Sequence, residues 1–305
     1  MARIGLVDLD TTHPSAFVPI LRGLGHEVVA VCDEGTVHPP GHPEAFAARH
    51  RVDHVCASPE EMAGLVDVAF VLGCDWDRHV VRARPFAERG IPLFIDKPVA
   101  GSAAHLREIQ GWRDAGLRVT GGSSLYTCRE ARDRRRERPR SPRFAVAGCS
   151  GHPLDYGVHA YSLLLALFGT DVAAVRDLGG PPSRAEVRWR SGHSAVAVVS
   201  EAAGHPYWAT IVGAEVDHLT VHPDPARLYR DFVRYSLDLL LGERADADPP
   251  DAFLLAERCA VAAGHSAALG GIPVSPGLEG VGTSGTAVFP SDDFVAAYRL
   301  RRRVF

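Results

Sequence analysis

Short apolar runs alternate with apolar stripes through the first 120 residues. Arg3–Val7, Glu27–Cys32, Val52–Ala57, Val66–Leu72, Pro92–Ile95 and Leu117–Thr120 have strand character. Between them, Pro14–Leu24, Pro43–His50, Pro59–Leu65, Val80–Arg89 and Ala103–Ala115 carry apolar residues at helical spacing. Gly25 ends the first of these helices, and Ser58 and Ser102 stand where N-caps belong. Continuous apolar strands alternating with helices predict a parallel, doubly wound sheet covered on both faces. Ligands of such sheets bind beyond the carboxyl ends of the strands.

The pattern changes after Gly121-Gly122. Arg129–Arg138 is rich in Arg and Glu and reads as a solvated helix. Leu154–Phe168 is a long apolar helix stopped by Gly169. Strand-like runs follow at Ala185–Arg190, Ser194–Ser200, Trp208–Val212 and His218–Val221, then helices at Pro225–Leu241 and Asp251–Leu269. This grouping predicts an α+β domain with an open, mainly antiparallel sheet. Residues 1–121 and 122–305 are the expected domains. The stretch from Pro276 is Gly-rich and ends in the basic cluster Arg299–Arg303, read as a solvated tail.

Composition narrows the function. The chain has 305 residues and a formal net charge of -4, so no global basic field points to nucleic acid. No apolar stretch is long enough for a membrane span, and the N-terminus lacks a signal-peptide pattern. Six scattered cysteines without a CxxC read as reduced thiols. These features predict a cytoplasmic protein. Of 33 basic residues, Lys97 is the one Lys. An ammonium, unlike a guanidinium, can exchange its proton when its surroundings lower its pKa. That difference makes Lys97 the first candidate for chemistry.

Three constellations supply the rest. The first strand leads into Gly5-Leu6-Val7-Asp8-Leu9-Asp10-Thr11-Thr12-His13, where a dinucleotide fingerprint would read GxGxxG. Only Gly5 is present; Val7 and Asp10 hold the other two glycine positions, and Asp8 and Asp10 would repel a pyrophosphate unless a cation or a changed loop path intervenes. Asp33, ending the second strand, sits where an acidic residue takes ribose hydroxyls. With Glu34 beside it, NAD is favoured over NADP. In the second constellation Pro98 holds Lys97 extended at the end of Phe94-Ile95-Asp96. The third is Asp155 and His159, four apart on a predicted helix, where the carboxylate could fix the imidazole as a general base.

Together these pieces resemble the Gfo/Idh/MocA family of sugar and cyclitol oxidoreductases, over residues 3–275. The family's Glu-Lys-Pro motif looks matched by Asp96-Lys97-Pro98, its Asp and His four apart by Asp155 and His159, and its fourth-strand His by His79 after Cys74-Asp75. The helix Ala252–Gly271 and Ile272-Pro273-Val274 resemble its last helix and strand. The resemblance implies NAD(P)-dependent oxidation of a secondary alcohol, or the reverse, on a small polar substrate. It implies His159 as base, Lys97 as stabiliser of the alkoxide and Asp155 as the group that orients them. Gly5, Val7, Asp8, Asp10, Asp33, Cys74, Asp75, His79 and Asp96 would face the cofactor. Tyr126, Arg129 and Tyr156 would line the substrate pocket. Family members commonly form dimers or tetramers, so a homo-oligomer is expected.

Other readings stay open. A metal-assisted lyase or isomerase could use Asp8, Asp10, His13, Asp75, Asp77 and His79. Asp8-Leu9-Asp10-Thr11-Thr12 matches the DxDxT of haloacid dehalogenase phosphatases. A binding protein that lost catalysis would explain the glycine-poor loop.

Overall fold

A computed structural model of the chain describes residues 1–137, 143–200, 207–213, 215–221, 225–244, 252–281 and 287–302. The apolar runs of the first half become six strands: β1 (Arg3–Val7), β2 (Glu27–Cys32), β3 (His54–Cys56), β4 (Val68–Val71), β5 (Leu93–Asp96) and β6 (Val119–Gly122). β4, β5 and β6 are buried at every position, because helices cover both faces of the sheet. All strand pairs are parallel, in the order β3-β2-β1-β4-β5-β6. The connecting helices are α1 (His13–Gly23), α2 (His42–His50), α3 (Pro59–Met62), α4 (His79–Ala87) and α5 (Ala103–Asp114). The Ser58 hydroxyl accepts from the Glu61 amide at 3.4 Å, and Ser102 from His105 at 3.2 Å, so both caps form where the sequence places them. The strand order reverses between β1 and β4, which puts the ligand crevice above the ends of β1, β2 and β4.

The second half builds α6 (Arg129–Glu137), β7 (Phe144–Ser150), α7 (Gly157–Phe168), β8 (Val172–Asp177), β9 (Ser183–Trp189), β10 (Ser194–Ser200), β11 (Tyr207–Val212), β12 (Val216–Val221), α8 (Pro225–Leu240), α9 (Ala252–Ala268) and α10 (Asp292–Arg302). Its sheet runs β12-β11-β7-β10-β9-β8, antiparallel except for β7 and β10. Every residue of α7 is buried, which matches a helix apolar on all sides and packed between the sheet and α9. α8 returns to the first sheet: Phe232, Val233, Leu237 and Leu240 join the core of Ile4, Leu6, Phe17 and Phe94.

Four expectations change. β7 and β8 are strands the sequence pattern did not predict; Ala, Gly and Cys dominate β7, and its strand state comes from pairing on both sides. The apolar helix begins at Gly157 rather than Leu154, after a turn led by Pro153. Val274 makes a single bridge to Val175 in place of a terminal strand. The basic tail forms α10 and packs on the first domain; Arg138, Asp251 and Arg303 lie outside the described residues. All six cysteines are buried free thiols, and no described helix is long and apolar enough to cross a membrane.

Candidate functional site

β5 ends at Asp96, so Lys97 leaves the sheet at the carboxyl edge. Its Nζ lies 2.8 Å from Oδ1 of Asp155 and 5.1 Å from the centre of the Tyr156 ring. Burial works against the ammonium, but the Asp155 and Asp96 carboxylates outweigh it and hold the Lys97 pKa above its ordinary value. Lys97 is therefore a fixed cation and a proton donor in hydrogen bonds, not the deprotonated amine that its uniqueness first suggests.

His159 stands near the start of α7, with 7% of its surface exposed. Its Nδ1 is 2.7 Å from the Ser123 hydroxyl, and its ring meets those of Tyr207 and Tyr156 edge-on at 4.9 and 5.9 Å. Burial, then the Lys97 charge, pushes its pKa well below 6.5. The imidazole is thus neutral at pH 7 and able to accept a proton. The expected Asp155–His159 couple does not form. Asp155 lies in the turn before α7, where the Lys97 ammonium takes its carboxylate, and Ser123 becomes the partner of His159.

A second imidazole faces the same space. His13 opens α1, bonds Asp96 through Nδ1, and meets the Tyr229 hydroxyl of α8 at 3.2 Å through Nε2. Asp96 also accepts from the Lys97 amide at 2.8 Å. Its carboxylate is spent on these two groups rather than on a cofactor. His13, Lys97, Asp155, Tyr156, His159 and Tyr229 all line one cavity of about 250 Å³. That is below the ~300–1,000 Å³ of sites for drug-sized ligands and suits a small polar molecule. Tyr207, Tyr298 and Arg301 also line it. Sequence reasoning missed Tyr207, Tyr229, Tyr298, Arg301 and Ser123, and considered His13 only as a metal ligand. No local motif marks these residues, because they arrive from distant elements.

Cys74 and Asp96 line the cavity, but the other residues assigned to the cofactor are otherwise engaged. Gly5 and Val7 are packing positions inside β1; a Cβ on Gly5 would collide with Met62. Asp8, at φ 65°, pairs with the Arg82 guanidinium, and both are buried. Asp10 accepts from the Cys74 amide at 3.1 Å. Asp33 caps its own turn through the Gly35 amide at 2.8 Å. Asp75 accepts from Ser291 at 2.6 Å. His79 is buried between the carbonyls of Gly73 and Val99 at 3.0 and 3.2 Å. The crevice residues in this arrangement do not fit a dinucleotide pyrophosphate: carboxylates stand where amide donors are needed, and protein covers them.

Two other assignments separate from the cavity. Tyr126 packs against the core rather than lining it, and Arg129 is exposed and pairs with Asp231 at 2.9 Å. Among the described residues no three His, Cys, Asp or Glu side chains form a metal-sized group.

Glu257 of α9 lies buried beneath Gly122. Burial raises its pKa to about 8 from 4.5. The folded state holds this proton through a range where the unfolded state has released it. Stability therefore falls as pH rises from 4.5 to about 8. Glu257→Gln is expected to remove that loss, seen as a higher Tm at pH 8 and little change at pH 4.5.

No family model and no curated protein matches the chain. Solved structures do. Scyllo-inositol dehydrogenase from Lactobacillus casei has a TM-score of 0.71 at 14% identity, covering 90% of this chain and 98% of its own. The WlbA dehydrogenase from Chromobacterium violaceum, in complex with NADH and UDP-GlcNAcA, has 0.71 at 16%, with 90% and 95% covered. An oxidoreductase from Agrobacterium radiobacter, in complex with NAD+, L-tartaric acid and magnesium, has 0.72 at 13%, with 90% and 98% covered. At these identities the likeness is one of architecture: the chain has the two-domain fold of the Gfo/Idh/MocA-type dehydrogenases.

Proposed function

We propose that this protein is an oxidoreductase that interconverts a secondary alcohol and a ketone on a small polyhydroxylated substrate such as a sugar or cyclitol. The observation that carries this reading is the fixed Lys97 cation and the neutral His159 imidazole facing one small polar cavity. The substrate hydroxyl gives its proton to His159. Lys97, held by Asp155, stabilises the oxygen as negative charge develops on it. Ser123 orients the imidazole, and His13, tied to Asp96 and Tyr229, fixes the opposite wall. The redox partner that the reading calls for is a nicotinamide dinucleotide, NAD(P).

In the same proposal, residues 1–121 handle the dinucleotide, and residues 122–305 bind substrate and assemble a homo-oligomer. Val196 and Val198, half-buried on the second sheet, belong to the face offered for that assembly. A screen of polyols with NAD and NADP, read by nicotinamide absorbance, tests the function. Turnover that disappears in His159→Gln is the expected result; no turnover with any polyol overturns it.

The occupied crevice favours one alternative, a non-redox proton transfer on the same scaffold. Exchange of a substrate C–H with deuterated water in the absence of any dinucleotide would identify it.

A further inference from the structure

Interconversion of an alcohol and a ketone moves one proton at oxygen, and His159 accounts for it. The same cavity holds a second imidazole that this step leaves unused. His13 opens α1 with 15% of its side chain exposed. Its ring stacks on Phe17 at 5.2 Å and meets Tyr229 edge-on at 5.1 Å, which fixes its plane. Asp96 is buried, and its two oxygens divide between two donors. Oδ1 accepts from the Lys97 amide at 2.8 Å, and Oδ2 accepts from Nδ1 of His13. A carboxylate on Nδ1 places the ring proton there and leaves Nε2 as the basic nitrogen. Burial pushes the Tyr229 phenol up, so its hydroxyl keeps its proton and donates to Nε2. That contact is 3.2 Å, the long end of the usual range, and a ligand can compete for the nitrogen. The couple has the form of a carboxylate orienting a general base.

His13, Lys97 and His159 line one small cavity, and the His13 charge is felt at His159, where it adds to burial and to Lys97 in lowering the pKa. Loss of a proton from carbon beside a carbonyl needs a base at the C–H bond and a cation at the carbonyl oxygen. If that carbon carries a hydroxyl, a second base can carry a proton between the two neighbouring oxygens. The cavity holds all three groups, on α1, at the end of β5 and on α7.

We propose that this cavity enolises a small α-hydroxy ketone without any dinucleotide, with His13 as the base at carbon. The inference rests on the substrate class of the reading above, a small polyhydroxylated ketone, and not on its redox partner. Nε2 of His13 takes hydrogen as a proton from the carbon bearing the hydroxyl. The C–H electron pair forms the C=C bond, and the carbonyl π pair moves to oxygen, where Lys97 holds the negative charge. His159 takes the proton of the neighbouring hydroxyl and returns it to that oxygen. The carbonyl then re-forms at the first carbon, and His13 gives its proton to the second. One carbon is oxidised as its neighbour is reduced, so no outside oxidant or reductant enters.

The test is incubation of the full-length protein in deuterated water, with no nucleotide added, with dihydroxyacetone and with pentahydroxycyclohexanone. Magnetic resonance of the carbon-bound hydrogens reads the exchange. Deuterium is expected at the α-carbon of at least one ketone, faster than in protein-free buffer. His13→Gln should slow that exchange by about 10²–10³-fold, as for loss of a general base, while calorimetry shows the ketone bound as in wild type. A merely structural His13 would weaken binding along with exchange. Should the Gln variant fail to fold, His13→Phe keeps the stack on Phe17 and carries the same expectation. No exchange with either ketone, or exchange undiminished in the His13 variant, overturns the proposal. Polyol oxidation with NAD or NADP on the same protein reports on the oxidoreductase reading separately, so either can fail while the other stands.

Discussion

Lys97→Met is expected to lower turnover by about 10²–10³-fold, the usual loss when one fixed donor to a developing oxyanion is removed. The change strips the cavity of its central cation and leaves the Asp155 carboxylate without its ammonium. Lys97→Arg keeps the charge but not the compact geometry, so it should recover only part of the activity. KM should move less than kcat, because the cation acts most strongly where negative charge develops. A second signature follows from His159. The Lys97 charge is one of the causes that keep the imidazole pKa low. Removing it should shift the acid limb of the residual kcat/KM profile toward higher pH. An unshifted limb would mean that the two groups do not share a site.

The largest effect on stability is expected at Arg82. Arg82→Leu leaves Asp8 buried, with 0% exposure, and without its guanidinium partner. Breaking a buried ion pair from one side costs about 3–5 kcal/mol, and urea unfolding should show it as a lower midpoint at unchanged slope. Arg82 also donates to Thr36 at 2.9 Å and lies 3.5 Å from Glu34, so the loop after β2 loosens with it. Adding Asp8→Asn should return much of the loss. An amide carries no charge to bury, and Asn tolerates the positive φ of position 8. If the single and double variants are equally unstable, the ion pair is not what holds this loop.

The pair also explains the glycine-poor loop physically. A Cβ placed on Gly73 would lie 2.6 Å from the Asp8 carboxylate, so the β4 loop leaves room for that side chain. The loop is built around a buried carboxyl group and the guanidinium that bonds it. The sequence shows two carboxylates in a place that ordinarily receives phosphate, but Arg82, 74 residues away, is invisible as their partner. The helix α10 was more nearly legible. Ser291-Asp292-Asp293 is a helix start, and Phe294, Val295 and Tyr298 follow at helical spacing. The Arg-rich end drew the reading toward a solvated tail. The missed strand β7 had no such signal, since small residues have weak strand preference and pairing with β10 and β11 decides it.

What the sequence alone determined is everything that depends on local periodicity. The alternation of buried runs and amphipathic stripes specified the parallel sheet, its connecting helices and the position of Lys97 at a strand's carboxyl edge. Tertiary structure alone decided partnership. A carboxylate four residues from an imidazole pairs instead with an ammonium 58 residues away, because the turn before α7 brings a full positive charge within 2.8 Å. In a buried site that attraction outweighs a neutral hydrogen bond, and charge proximity in space is not written in spacing along the chain.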